Sequence, residues 1–156
     1  MKKQNEETQI RAYQKSDKQE LIELIKLNIP TYFEESEEKD FIEYLEKYKE
    51  DYFVVESKTT KKIIGCGGVN YFLDEPTALA RMSWDIIHPN FQGQGIGKCL
   101  LLHRINHIKK QNIKLIVVRT SQLAYKFYQK AGFELEKVEK DFWAKGFDLY
   151  QMKMSL

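Results

Sequence analysis

The hydrophobic pattern divides the chain into short runs of strand character and longer runs at helical spacing. Thr8 to Tyr13 reads as a short first strand. Ser16 followed by Gln19 fits a capping box, after which Leu21, Ile22, Leu24, Ile25 and Asn28 keep helical spacing until Pro30 closes the element. Ser36 is placed to cap a second helix carrying Phe41, Tyr44, Leu45 and Tyr48. Tyr52 to Glu56 and Lys62 to Phe72 read as strands joined by a turn near Lys58-Thr59-Thr60, and Leu79 to Ile87 as a third strand after Glu75-Pro76. A glycine-rich turn, Gln92 to Gly97, opens an amphipathic helix to about Gln111. Leu115, Ile116, Val117 and Val118 form an uninterrupted apolar run, the pattern of a strand buried on both faces. Ala124, Phe127, Tyr128 and Ala131 then share a helical stripe ended by Gly132. Two last strands, about Phe133 to Glu139 and Phe147 to Met154, form a hairpin through Trp143-Ala144-Lys145-Gly146. The order βααβββαβαββ predicts a mixed α/β fold with one central sheet.

Composition narrows the class. A chain of 156 residues is the size of one ordinary domain, so a single domain over 1–156 is expected, large enough to need no disulfide or metal staple. Apolar residues at 42% and aromatics at 13% exclude wholesale disorder. Lysine plus arginine (25) nearly balances aspartate plus glutamate (23), which removes the electrostatic argument for a nucleic-acid or anionic-membrane partner. Cys66 and Cys99 are too isolated for a disulfide framework or a paired-cysteine zinc site. No apolar run approaches the ~20 residues that span a bilayer. Met1 to Thr8 has no apolar stretch that would serve as a secretory signal, so a cytoplasmic location is expected.

The segment richest in chemistry is His88-Pro89-Asn90-Phe91-Gln92-Gly93-Gln94-Gly95-Ile96-Gly97-Lys98, between a strand and a helix. Glycines there let backbone N–H groups crowd around an anion, and the helix dipole adds positive potential, so a phosphate or pyrophosphate is the natural ligand. A Walker loop would need glycine at Gln92 and Ser or Thr at Cys99. The dinucleotide fingerprint would need its third glycine one residue after Gly97. Both fail.

Gln92-Gly93-Gln94-Gly95-Ile96-Gly97 resembles the Q/R-x-x-G-x-G/A acyl-CoA motif of the GNAT superfamily of N-acyltransferases, and Ala124, Tyr128 and Gly132-Phe133 resemble its A-x-x-x-Y-x-x-x-G-F motif. The element order is similar as well, so the resemblance covers nearly the whole chain. It implies a mixed, mostly antiparallel sheet of about seven strands flanked by four helices. It also implies acetyl-CoA as cosubstrate, no metal, and direct attack of a primary amine on the thioester in a ternary complex. Backbone of Ile86, Ile87 and His88 would pair with the pantetheine arm, and the amides from Gln92 through Gly93, Gln94, Gly95, Ile96, Gly97 and Lys98 would hold the pyrophosphate. Tyr128 would protonate the departing thiolate; its place on an apolar stripe equally suits a core tyrosine with a satisfied hydroxyl. Ser121 stands where the family often has an asparagine that contacts the cofactor or an ordered water.

Many family members carry a glutamate or histidine base on the strand before the turn, where this chain has Arg81 and Ser83. Asp85 follows two residues later, and strand alternation would put it on the same face. It is read either as a catalytic or substrate-binding carboxylate or as half of a structural ion pair, Arg81 being one partner. Between Glu34 and Asp51 there are nine acids and three bases, net −6, which leaves +8 on the rest of the chain. In the family this region lines the acceptor side, where acid suits a cationic amine; the same residues also suit a helix amino terminus and a solvated face. Tyr32, Phe33 and Trp84 would supply apolar walls. Cys99, His103 and His107 recur at four-residue steps but lack a fourth ligand, and the glycines around Cys66 mark a bulge or a close approach of strands. The hairpin around Trp143 offers a surface for a homodimer without requiring one. The expected function is amine acetylation, with a CoA-binding regulatory or scaffold module as the alternative.

Overall fold

The computed structural model describes residues 6–156. Among these, the chain forms strands β1 (Thr8–Ala12), β2 (Asp51–Ser57), β3 (Ile63–Phe72), β4 (Leu79–Ile87), β5 (Leu115–Thr120), β6 (Glu134–Ala144) and β7 (Phe147–Ser155). Helices α1 (Lys18–Lys26) and α2 (Glu37–Glu43) lie between β1 and β2, α3 (Ile96–Lys109) follows β4, and α4 (Tyr125–Lys130) follows β5. The strands make one seven-stranded sheet in the order β1-β2-β3-β4-β5-β7-β6. β1 and β2 pair antiparallel, β4 and β5 parallel, and β7 antiparallel to both β5 and β6. Mixed, mostly antiparallel and seven-stranded, this is the sheet the family resemblance implies. Among the described residues no helix is long and apolar enough to cross a membrane.

The chain divides into two compact units, one comprising residues up to Gly68 with Trp84–His103, the other Val69–Ser83 with Arg104–Leu156. In the first, β2 is apolar on both faces and serves two cores by simple alternation. Tyr52 and Val54 pack with Leu21, Leu24 and Ile25 of α1, with Phe41, Tyr44 and Leu45, and with Ile63 and Cys66 of β3. Phe53 and Val55 pack with Ile64, Ile96 and Leu100. Each fully buried Leu, Ile or Phe contributes about 1.5–3 kcal/mol of transfer free energy, so these clusters carry the unit. In the second unit the buried side chains include Ile105 and Ile108 of α3, Ile116, Val117 and Val118 of β5, Leu149 and Met152 of β7, and Phe133.

The helix ends depart from the expected caps. Ser16 lies inside a single 3-10 turn, Lys15–Asp17, that precedes α1. Asp17 does the capping work instead: its carboxylate accepts from the Gln14 amide at 2.8 Å and from Arg11 at 2.8 and 3.0 Å. The Arg11 hydrogen bonds hold the Asp17 carboxyl below its ordinary range despite burial. α1 ends before Asn28, whose buried amide donates to the Leu24 carbonyl at 3.0 Å and satisfies one of the helix's last acceptors. Ser36 has helical dihedrals (φ −64°, ψ −22°) and so makes no side-chain cap; the Glu34 carboxylate takes the Ser36 amide at 2.7 Å. α2 runs on as a π-helical turn over Tyr44–Tyr48.

Farther along, α4 is shorter than its apolar stripe implied: Tyr128 is 4% exposed but Phe127 is 37% exposed. Gly132 (φ 108°) ends it as expected, with the Phe133 amide donating back to the Tyr128 carbonyl at 3.1 Å. Trp143 and Ala144, expected in the hairpin turn, belong to β6. The turn shrinks because its tip is held on both sides. Gln122 donates to the Gly146 carbonyl at 2.6 Å and accepts from the Asp148 amide at 2.9 Å, while the Trp143 indole donates to Thr120 O at 3.1 Å.

The glycines beside Cys66 mark a close approach. A Cβ on Gly68 would sit 2.8 Å from the Asp51 carbonyl oxygen and 3.0 Å from the Tyr52 ring. Backbone cannot yield there as a side-chain tip would, so Gly68→Ala should destabilise the protein by about 1–3 kcal/mol, read as a lower urea midpoint at unchanged slope. A midpoint equal to wild type would contradict this packing.

Candidate active site

After β4 the chain makes one 3-10 turn, Pro89–Phe91, capped by His88, whose Nδ1 accepts from the Asn90 amide at 3.1 Å. Partial burial, with a smaller contribution from Lys62, pushes the imidazole pKa below its ordinary value, consistent with that nitrogen acting as an acceptor. Gly93 (φ 77°) and Gly95 (φ 83°) then take left-handed backbone, and nothing lies within 4 Å of a Cβ built at either. Conformation, not space, requires glycine at these two positions. The Cys99 amide donates to Gly95 O at 3.0 Å, the first bond of α3. The N–H groups of Ile96, Gly97 and Lys98 therefore precede the helical ladder and point out of its positive end. Ile96 is buried among Phe53, Val55, Ile64 and Leu100, which fixes the helix start against the core. The arrangement suits an anion with several acceptor oxygens.

The three residues expected to meet a pantetheine arm differ in what they have to offer. The His88 amide donates to Ile64 O at 2.8 Å and the His88 carbonyl accepts from Phe91 at 2.9 Å, so both its backbone groups already have partners. Ile86 and Ile87 pack into the two separate cores, which fixes the backbone between them. The ladder of β4 with β5 ends at Met82↔Val118, so Ile86 and Ile87 lie beyond it.

Trp84, between Ser83 and Asp85, has φ 50°, a left-handed residue inside a strand. The Arg81 guanidinium lies 4.5 Å over the Phe72 ring, and Ser83 Oγ donates to Asn70 Oδ1 at 2.7 Å. What holds Trp84 is Tyr52, whose hydroxyl donates to the Trp84 carbonyl at 2.8 Å and lies 3.3 Å from Cys66 Sγ. Burial, chiefly, raises the Tyr52 phenol well above its ordinary pKa, and Cys66, Tyr44 and Asp85 add to the shift. Tyr52 thus stays protonated and keeps its donor. Sequence reasoning missed it, because a tyrosine on a buried strand reads only as core.

Around Trp84 stands an aromatic wall. Phe33 stacks on it at 6.1 Å and 18°, with Phe41 at 5.2 Å and Tyr44 at 6.2 Å. Nearby in sequence, the Glu37 carboxylate accepts from the Glu34 amide at 3.3 Å, and burial, reinforced by Asp40 and Glu34, raises its pKa. The rest of the acidic segment is partly neutralised, Glu46 by Lys18 and Glu43 by Lys47.

In the second unit Tyr128 is buried, with its ring edge-on to Phe127 at 5.0 Å and Phe133 at 5.8 Å. Ser121 Oγ accepts from the Leu123 amide at 3.2 Å, while its carbonyl accepts from Ala124 and Tyr125. On α3 the His103 ring meets Phe53 edge-on at 4.9 Å, and among the described residues no three His, Cys, Asp or Glu side chains gather as a ligand set.

Comparison with known proteins agrees with this architecture. The acetyltransferase (GNAT) domain model matches residues 48–135, more than half of the chain, and the chain belongs to that family. A curated protein, "Uncharacterized N-acetyltransferase ycf52" of Gracilaria tenuistipitata var. liui, is 36% identical over 63 residues, 38% of this chain and 35% of that protein. The chain thus matches about a third of the length of such relatives. The ribosomal-protein-S18-alanine N-acetyltransferase from Escherichia coli superposes with TM-score 0.77 at 17% identity, covering 96% of this chain and 94% of that one. Aminoglycoside 6'-N-acetyltransferase complexed with coenzyme A gives 0.74 at 12% identity, covering 94% and 96%. At these identities the two structures speak for the fold alone.

Removing the Tyr52 hydroxyl leaves a strained residue without its clamp and a partly buried carbonyl without this donor. Tyr52→Phe should cost about 1–3 kcal/mol and alter the near-UV signal of the tryptophans. An unchanged denaturation curve would mean that Trp84 is held by packing alone.

Proposed function

We propose that the protein is an N-acetyltransferase that moves an acetyl group from acetyl-CoA to a primary amine by direct attack in a ternary complex. The observation that carries this reading is the glycine turn: two left-handed glycines followed by a helix start whose first amides precede the ladder, anchored by Ile96. The pyrophosphate of the cosubstrate would accept from the amides between Gln92 and Lys98, with the dipole of α3 opposing its charge. The GNAT family match supports CoA as the carrier. The pantetheine would follow the backbone of Ile86 and Ile87; His88, with both backbone groups engaged, would serve mainly to shape the turn.

In the reaction the neutral amine attacks the thioester carbonyl, a tetrahedral intermediate forms, and its collapse breaks the C–S bond. The amine proton goes to a base and the thiolate takes a proton from an acid. Asp85 is assigned the first role, directly or through water, since the left-handed Trp84 sets it apart from regular strand geometry. Tyr128 is assigned the second, by its match to the family motif. Ser121 would assist the cofactor through its hydroxyl proton. A cationic acceptor suits the Glu37 carboxylate and the wall of Phe33, Phe41 and Trp84, which would bind an amine with an apolar shoulder.

A thiol-release assay across a panel of amines tests this reading. Amine-dependent release of CoA is expected. Tyr128→Phe and Asp85→Asn should each lower kcat about 100-fold, with KM for acetyl-CoA nearly unchanged, while Gly95→Ala should mainly raise that KM. Tight acetyl-CoA binding without release, over the whole panel, would instead favour a CoA-binding module. Wild-type turnover in Tyr128→Phe would remove the acid assignment alone.

A further inference from the structure

β6 forms the outer edge of the sheet, with β7 on its inner side. Ten of its eleven positions are exposed, including Leu135 (45%) and Val138 (49%). An exposed edge is a template for another strand, and chains usually blunt it with charges and bulges. Both devices are present: the register against β7 shifts between Leu135 and Lys137 and again between Glu139 and Ala144, and Glu136, Lys137, Glu139 and Lys140 line the strand. The order of these charges is not merely protective. The regular stretch between the shifts is Lys137–Glu139, paired with Gln151, Tyr150 and Leu149, and its centre is Val138.

Two copies of β6 laid antiparallel about a two-fold axis at Val138 set Lys137 opposite Glu139 and Glu136 opposite Lys140, each twice. That makes four opposite-charge pairs and no like-charge pair. Sliding one copy by a single residue sets Glu136 against Glu139 in one direction, or Lys137 against Lys140 and Glu136 against Asp141 in the other. Sliding by two sets Lys137 or Glu139 against itself. Opposite charges across a ladder stabilise it and like charges oppose it, so one register stands out from its neighbours. Glu136 sits at a shift, where its carboxylate accepts from the Gln151 amide at 3.3 Å, so the Lys137–Glu139 pairs are the firmer of the two sets.

We propose that β6 pairs antiparallel with β6 of a second copy of this chain about a two-fold axis at Val138, joining two sheets edge to edge. The occupant is a second copy because the pattern complements itself: an unrelated strand would need the same charges in the same order along its own direction. The inference does not depend on the catalytic reading.

Sedimentation equilibrium on the full chain tests it, at tens to hundreds of micromolar. Wild type should show about twice the 18.5 kDa monomer mass. Lys137→Glu, which puts two carboxylate pairs face to face, should return it to the monomer, and the double variant K137E/E139K should restore the dimer. A monomeric wild type, or a Lys137→Glu variant that stays dimeric, would overturn the proposal, as would a folded double variant that stays monomeric. Val138→Cys in a Cys99→Ser background gives a reading that does not rest on the charge variants. Oxidation should link copies through residue 138; no link at concentrations where the protein is dimeric would exclude the register.

Discussion

The first amides of an α-helix have no carbonyl behind them to accept their hydrogen bonds, and the start of α3 depends on that constraint. Gly93 and Gly95 take the left-handed backbone that swings the chain from β4 into the helix, and Ile96, buried in the second core of the first unit, fixes where the helix begins. His88 holds the other side through its amide on Ile64 and its ring nitrogen on the Asn90 amide. The amides at the start of α3 are therefore set by hydrophobic packing and backbone geometry, with little demand on side-chain chemistry. That explains how exposed residues such as Gln92 and Gly93 take part in a well-defined turn.

A second constraint acts a few residues upstream. Trp84 is left-handed inside a strand, which is costly for a bulky side chain, and it persists because Tyr52 grips its carbonyl while Phe33, Phe41 and Tyr44 crowd its ring. The left-handed residue immediately precedes Asp85. Under the proposed function Asp85 takes the amine proton. Tyr52, kept protonated by its burial, is a positioning residue in that reading.

The element order and the turn were legible in the sequence because each rests on local rules: period-two and period-3.6 patterns, and glycines where φ must be positive; the mostly antiparallel pairing of the sheet came from the family resemblance. Boundaries that depend on side chains from elsewhere were not legible. Ser16 and Ser36 look like caps, yet Asp17 and Glu34 take the amides, because the serines fall in residues that are already turned or helical. Trp143 reads as a turn residue until Thr120 and Gln122 are seen to hold the hairpin tip. The backbone at Trp84 escaped for a related reason: nothing local marks it as left-handed. The motif residues of the second unit, Ser121 and Tyr128, were found only through resemblance, since on pattern alone each is an ordinary turn or core residue.

The most direct measurement is an amide NMR titration of the full chain with acetyl-CoA. If the start of α3 is the anion site, the amides of Gly93 through Lys98 shift first and most, saturating together, and free pyrophosphate competes for the same signals. Saturable shifts centred elsewhere, with Gly93 to Lys98 unmoved, would contradict the assignment of this turn and with it the proposed chemistry.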